Sequence, residues 1–99
     1  MNMALLDDAE LAQICRHPDD ECERNLAFEE FRGRYLRAIQ GWAARFGRKF
    51  NWLDPDDLAQ EADLGFLAAV RNWDPTKSKM YGFAELCVER RLSTLVRKY

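Results

Sequence analysis

Apolar residues recur along this chain at intervals of three and four and almost never at intervals of two. Phe28, Phe31, Tyr35, Ile39, Trp42 and Phe46 form the longest such series, which predicts a helix over about 21–46. A shorter helix is expected before it, over about 7–16, with Asp7 or Asp8 as N-cap and Leu6, Leu11 and Ile14 on its apolar side. His17-Pro18 ends it, because the residue before proline is pushed out of the helical region. After a linker over 47–52, Asp54-Pro55-Asp56-Asp57 is a strong helix start: Asp54 caps, Pro55 suits the first helical position, and the following acids favour the positive end of the helix dipole.

That third helix is expected to reach Trp73, burying Leu58, Leu64, Leu67, Ala68 and Val70, with Gly65 permitting close approach of a neighbour. Asp74-Pro75 ends it. Residues 76–82 read as a polar, basic loop, and a last helix begins at Phe83 with Ala84, Val88, Leu92, Leu95 and Tyr99 on one face. Arg90, Ser93 and Arg97 share the opposite face at spacings of three and four. Strand signals are almost absent, so the expected fold is all-α, a compact bundle of about four helices.

Composition narrows this picture. Ninety-nine residues, 47% of them hydrophobic, suit one small domain with a single core. No apolar run approaches the roughly 18 to 20 residues of a membrane span, and Met1 to Leu6 run into Asp7 and Asp8 without a basic signal-peptide front. A soluble, cytoplasmic protein without a membrane partner is the expectation. Cys15, Cys22 and Cys87 are odd in number and form no CxxC pair, which points to reduced thiols.

The net charge of −2 conceals a segregation. Asp7 to Glu23 holds seven acids against Arg16 alone, and Asp54 to Asp63 holds five acids and no base. From Arg71 to Tyr99 seven bases oppose three acids. One chain with an acidic and a basic end suits two kinds of partner, although charge runs also occur as plain solvated faces. Enzyme signatures are missing: there is no GxGxxG, Walker loop, HExxH or Ser/His/Asp set. The reading is therefore of a non-enzyme without cofactor. Cys15, His17 and Cys22 fit no common zinc spacing, and Asp56, Asp57 and Glu61 read as helix-dipole acids before they read as metal ligands.

The stretch DLAQEADLGFLAAVRNWDP, Asp57 to Pro75, resembles the core-binding segment of region 2 of the sigma-70 family of bacterial sigma factors. The family pattern is approximately D-L-x-Q-E-G-x-x-G-L-x-x-A-[VI]-x-x-[FY]-D-P. FAELCVERRL, Phe83 to Leu92, is similar to the promoter-reading helix that follows, most of all in sporulation-type sigma-H proteins. The resemblance is close over 57–99 and looser back to about Asp7. It implies one region 2 domain over 1–99, in three parts: N-terminal helices over 7–50, a docking helix over 54–75, and a loop with a promoter-reading helix over 76–99.

The implied partners are core RNA polymerase, through the coiled coil of its β′ clamp, and the minus-ten element of promoter DNA. Asp57, Leu58, Gln60 and Glu61 match the polymerase-docking positions, and an acidic helix face complements a basic coiled coil. Arg90 and Ser93 match base-reading positions, where arginine suits guanine edges. Arg91, Arg97 and Lys98 would lie nearer to phosphates. Lys77 and Lys79 would hold the displaced strand, and Tyr81 or Phe83 its flipped base, with Phe83 read as core first.

Departures from the pattern are Ala62 for glycine, Asp63 for a neutral residue, Ser78 for glycine, Met80 for an aromatic, and Leu86 and Cys87 where housekeeping sigmas carry paired tryptophans. A second reading keeps the docking face but removes promoter reading: half of a split sigma, or a decoy. These ninety-nine residues include no second helix-turn-helix domain, so either the chain is a fragment of a longer factor or a partner supplies one, and an anti-sigma factor or a second sigma domain stands as a further partner. A generic helical adaptor is the least specific alternative.

Overall fold

A computed structural model describes residues 2–17 and 19–98. The expectations placed on Pro18 and Tyr99 fall outside these residues. Four helices are present, α1 (Asp8–Cys15), α2 (Glu21–Lys49), α3 (Pro55–Asn72) and α4 (Met80–Arg97), after a short 3-10 turn (Met3–Leu5) that periodicity did not reveal. The described residues contain no strand.

Local signals explain three of the four starts. Asp7 caps α1 in a capping box, its carboxylate accepting from the Glu10 amide at 2.8 Å while Glu10 accepts from the Asp7 amide at 3.2 Å. Asp20 caps α2, accepting from the Glu23 amide at 3.0 Å. At α3, Asp54 accepts from the Asp56 amide at 2.9 Å, with Pro55 in the first turn. α4 differs: its N-cap, Lys79, makes no side-chain capping bond. Instead Met80, 3% exposed, is driven into the core. That burial starts α4 three residues before the expected Phe83, so the loop is shorter than the sequence suggested and Tyr81 lies in the first helical turn. At the other end, α2 runs three residues beyond the expected Phe46, the Phe50 amide closing its last turn on the Phe46 carbonyl at 2.8 Å.

The core is aromatic where α2 meets α3. Phe31 and Phe66, both fully buried, meet edge to face with centroids 5.6 Å apart, and Tyr35 and Phe28 close on Phe66 at 5.5 and 6.2 Å. The buried side of α3 is thus Leu58, Ala62, Gly65, Phe66, Ala69 and Val70. This corrects the expected set: Leu64 is 39% exposed, and Leu67 and Ala68 are only half-buried. The phase is set by small residues, because α3 and α4 form the most extensive helix pair and need a close seam. A Cβ on Gly65 would stand 2.8 Å from the Val88 Cα, so the role expected for this glycine holds. α4 turns Ala84, Val88, Leu92 and Leu95 inward, as expected.

Arg16, the lone base of the acidic segment, acts far from its place in sequence. Its guanidinium donates to the Val70 carbonyl at 3.0 and 2.8 Å and to the Trp73 carbonyl, satisfying the end of α3. Asp8 ties α1 to α2, accepting from the Tyr35 hydroxyl at 2.6 Å and from Arg34 at 3.3 Å. Burial and the Asp8 carboxylate push the Tyr35 hydroxyl above its ordinary pKa.

Candidate functional site

α3 presents to solvent a stripe spaced i, i+3, i+4 and i+7: Asp57, Gln60, Glu61 and Leu64. Gln60 and Leu64 are exposed, Asp57 and Glu61 half-buried. Three of the four expected docking residues therefore stand together. The fourth, Leu58, is 2% exposed and lies beneath Gly47 of α2, so it supports the stripe from inside and offers no surface to a partner. Leu64 takes its place as the apolar member, a residue that sequence reading assigned to the core although its spacing from Asp57 and Glu61 already put it on their face.

Asp63, one of the departures from the family pattern, is engaged internally. Arg32 of α2 grips it with two hydrogen bonds of 3.1 and 2.9 Å. The added charge is balanced within the bundle.

On α4, Arg90 and Arg97 are exposed and Ser93 is half-buried. The three line one shallow cleft with Leu86, Glu89 and Thr94, as their spacing predicted. Lys98 is exposed just beyond the helix. Arg91 is placed differently. It leans across the seam and its Nε donates to Glu61 at 3.1 Å, linking a residue expected near DNA phosphates to one expected on polymerase. Sequence spacing within one helix cannot report such a pairing between two. Arg45 of α2, to which the sequence reading gave no role, stands 3.6 and 3.8 Å from Glu85 and Glu89, offsetting the two acids of this helix.

Lys77, Lys79 and Tyr81 gather at the opposite end of α4, about 24 Å of helix from Arg97. The turn that carries the two lysines is ordered by Asp74, whose carboxylate accepts from the Thr76 amide at 2.9 Å and hydroxyl at 2.7 Å. These bonds hold the Asp74 carboxyl below its usual pKa. The Trp73 indole donates to the Ser78 carbonyl at 2.9 Å. Tyr81 is 54% exposed and meets the buried Trp42 edge to face at 5.3 Å. Phe83 is half-buried against the core.

Burial pushes the thiols of Cys15 and Cys87 upward, which keeps them protonated at neutral pH. Among the described residues no three His, Cys, Asp or Glu side chains are grouped as metal ligands, and no helix is long and apolar enough to cross a membrane.

These features define a small helical domain with Asp57 and Glu61 on the outer side of α3 and Arg90 and Arg97 on the outer side of α4. The family model of sigma-70 region 2 matches residues 31–99, well over half of the chain, and the chain belongs to that family. Membership carries RNA polymerase binding and promoter melting in general terms, with promoter DNA as the second partner and a non-enzymatic role in transcription initiation. α1 and the first ten residues of α2 precede the matched segment. No curated protein and no solved structure matches the chain.

Proposed function

We propose that the α3 stripe docks on the basic coiled coil of the polymerase β′ clamp and that α4 reads the minus-ten element. The observation that carries this reading is the stripe itself: Asp57, Gln60, Glu61 and the exposed Leu64 combine carboxylates for arginine forks with one apolar anchor. On α4, Arg90 and Ser93 address base edges while Arg97 and Lys98 address phosphates. Arg91 reaches phosphates only by leaving Glu61. Lys77 and Lys79 guide the displaced strand, and Tyr81 offers an open ring to an unpaired base. The acidic remainder of the chain opposes free DNA, so promoter selection takes place on the polymerase.

The Gln60→Ala, Glu61→Lys double variant is expected to lose binding to core polymerase in a pull-down while keeping its helical circular dichroism. Unchanged binding by the folded variant sinks the docking assignment. With polymerase reconstituted, Arg90→Ala is expected to cost about 1 to 3 kcal/mol at one base position, while Lys98→Ala weakens all promoters alike. Promoter variants ranked as before by Arg90→Ala would instead favour the split-sigma or decoy reading.

A further inference from the structure

Three arginines from three helices meet in one cleft that neither the docking nor the promoter-reading face uses. Arg16 follows the end of α1, Arg24 stands in the first turn of α2 and Arg71 in the last turn of α3, and together they line a cleft of about 620 Å³. Arg32, Arg34, Arg45 and Arg91 elsewhere in the bundle each meet a carboxylate within 4 Å. Among the described residues none of the three in the cleft forms such an ion pair. Arg16 is held instead by the carbonyls of Val70 and Trp73, and Arg24 by the His17 carbonyl at 3.1 Å. A neutral carbonyl fixes a guanidinium without cancelling its charge. These bonds use Nε and Nη2 of Arg16 and Nη1 of Arg24, which leaves the remaining donors of both, with those of the exposed Arg71, for a ligand. Asp74, whose carboxyl feels the Arg16 charge, is bonded to Thr76 and does not line the cleft; Glu21 is the acid that does.

We propose that this cleft binds the phosphate group of a small organic phosphate, its oxygens on the three guanidiniums and its organic part against the half-buried Phe28 and Leu67. Planar guanidinium forks match phosphate oxygens, and anchored ones lose less freedom on binding. The volume lies within the range of about 300 to 1,000 Å³ usual for small-molecule sites. The surroundings select a compact ligand over a nucleic-acid strand. Glu21 on the lining and Asp19, Asp20 and Glu23 beside it in sequence repel a long polyanion that must pass them, whereas a compact ion sits among three positive charges and one negative. The inference uses neither the polymerase nor the promoter assignment and stands or falls apart from them.

Pyrophosphate and adenosine diphosphate, titrated into the 99-residue chain at constant ionic strength, are expected to shift the backbone amide resonances of Asn25, Phe28 and Arg71 and to saturate. Adenosine diphosphate is expected to bind more tightly than pyrophosphate, because its organic part reaches Phe28 and Leu67. Arg71→Gln, at an exposed site that leaves the fold intact, is expected to weaken both at least about tenfold, the share of one charge-assisted hydrogen bond. Glu21→Gln is expected to tighten them about two- to fivefold by removing the opposing charge. Arg37→Gln, which removes an exposed arginine of α2 outside the cleft, is expected to change neither. The proposal is overturned if pyrophosphate leaves the three amides unmoved, or if Arg71→Gln binds as the parent does. It is also overturned if Arg37→Gln weakens binding equally or sulfate binds as well as pyrophosphate, which would mean charge alone. Displacement of pyrophosphate by an oligothymidylate without terminal phosphates would assign the cleft to a strand and overturn it as well.

Discussion

α3 and α4 are each 18 residues long and pack against one another along most of their length, yet they begin in opposite ways. α3 carries its start in its own sequence: a capping aspartate, a proline and two acids in the first turn. α4 has no capping side chain and no acid in its first turn, and its start depends on Met80 entering a core built by other helices. Local chemistry specifies the helix proposed to meet polymerase, while tertiary packing specifies the helix proposed to meet DNA. The consequence is mechanical. The first turn of α3 is held before any partner arrives, whereas the first turn of α4 is held by the buried Met80 thioether, by the contact of the Tyr81 ring with Trp42, and by the turn that precedes it.

The largest expected effect separates the two starts directly. Met80→Ala is expected to lower stability by about 2 to 5 kcal/mol, through lost burial and the cavity left behind. In a domain of ordinary marginal stability that is a large share. Hydrogen exchange is expected to show the loss first at the amides of Phe83 and Ala84, with the first turn of α3 still protected. Equal loss at both starts would break the contrast drawn between them.

The seam comes next in size. Gly65→Ala places a Cβ 2.8 Å from the Val88 backbone, which cannot turn aside as a side chain can, and overpacking of this kind costs about 1 to 3 kcal/mol. Better helix propensity returns close to 1 kcal/mol. A net loss near 1 kcal/mol in urea melts is expected, against a small gain for Gly41→Ala, where the added carbon meets nothing within 4 Å beyond the local backbone and chain neighbours of its own helix. A gain at both positions would show that the seam relaxes and that the two helices are not locked together.

The same division explains what the sequence made legible. The α2 stripe, the caps at Asp7 and Asp54, the inward face of α4 and the shared face of Arg90, Ser93 and Arg97 all follow from spacing within one helix, and all are found. The three-residue error at Met80, the exposure of Leu64 and the pairing of Arg91 with Glu61 depend on where a second helix lies, whereas the burial of Leu58 follows the apolar spacing of α3 and only the resemblance placed it on the docking surface. Periodicity names an apolar side without fixing its angle: Leu58, Phe66 and Val70 are buried, while Leu64 and Leu67, equally apolar, sit at the margin. Arg16 shows the limit best, since a lone base among acids gave no hint that it closes the end of α3 some 54 residues away.

The smallest expected effect concerns the turn that stands in for the missing cap of α4. Asp74 accepts two hydrogen bonds from Thr76, and these, with the charges of Lys77 and Arg16 behind them, hold its carboxyl below the ordinary aspartate value. A carboxyl whose folded pKa lies below its unfolded value contributes stability that is fully present above the unfolded value, about 3.9, and is lost as pH falls through the folded one. Nothing is therefore expected to change near neutrality, and the turn is expected to loosen only in acid. The Thr76 amide resonance is expected to titrate with a midpoint below the ordinary aspartate value, and the Trp73 indole resonance to follow it through the bond to Ser78. Asp74→Asn keeps one acceptor and removes the titration, so its Thr76 resonance is expected to stay flat over the same range. Should the asparagine variant titrate like the parent, another carboxylate governs the turn, and the α4 start would rest on the packing of Met80 and Tyr81.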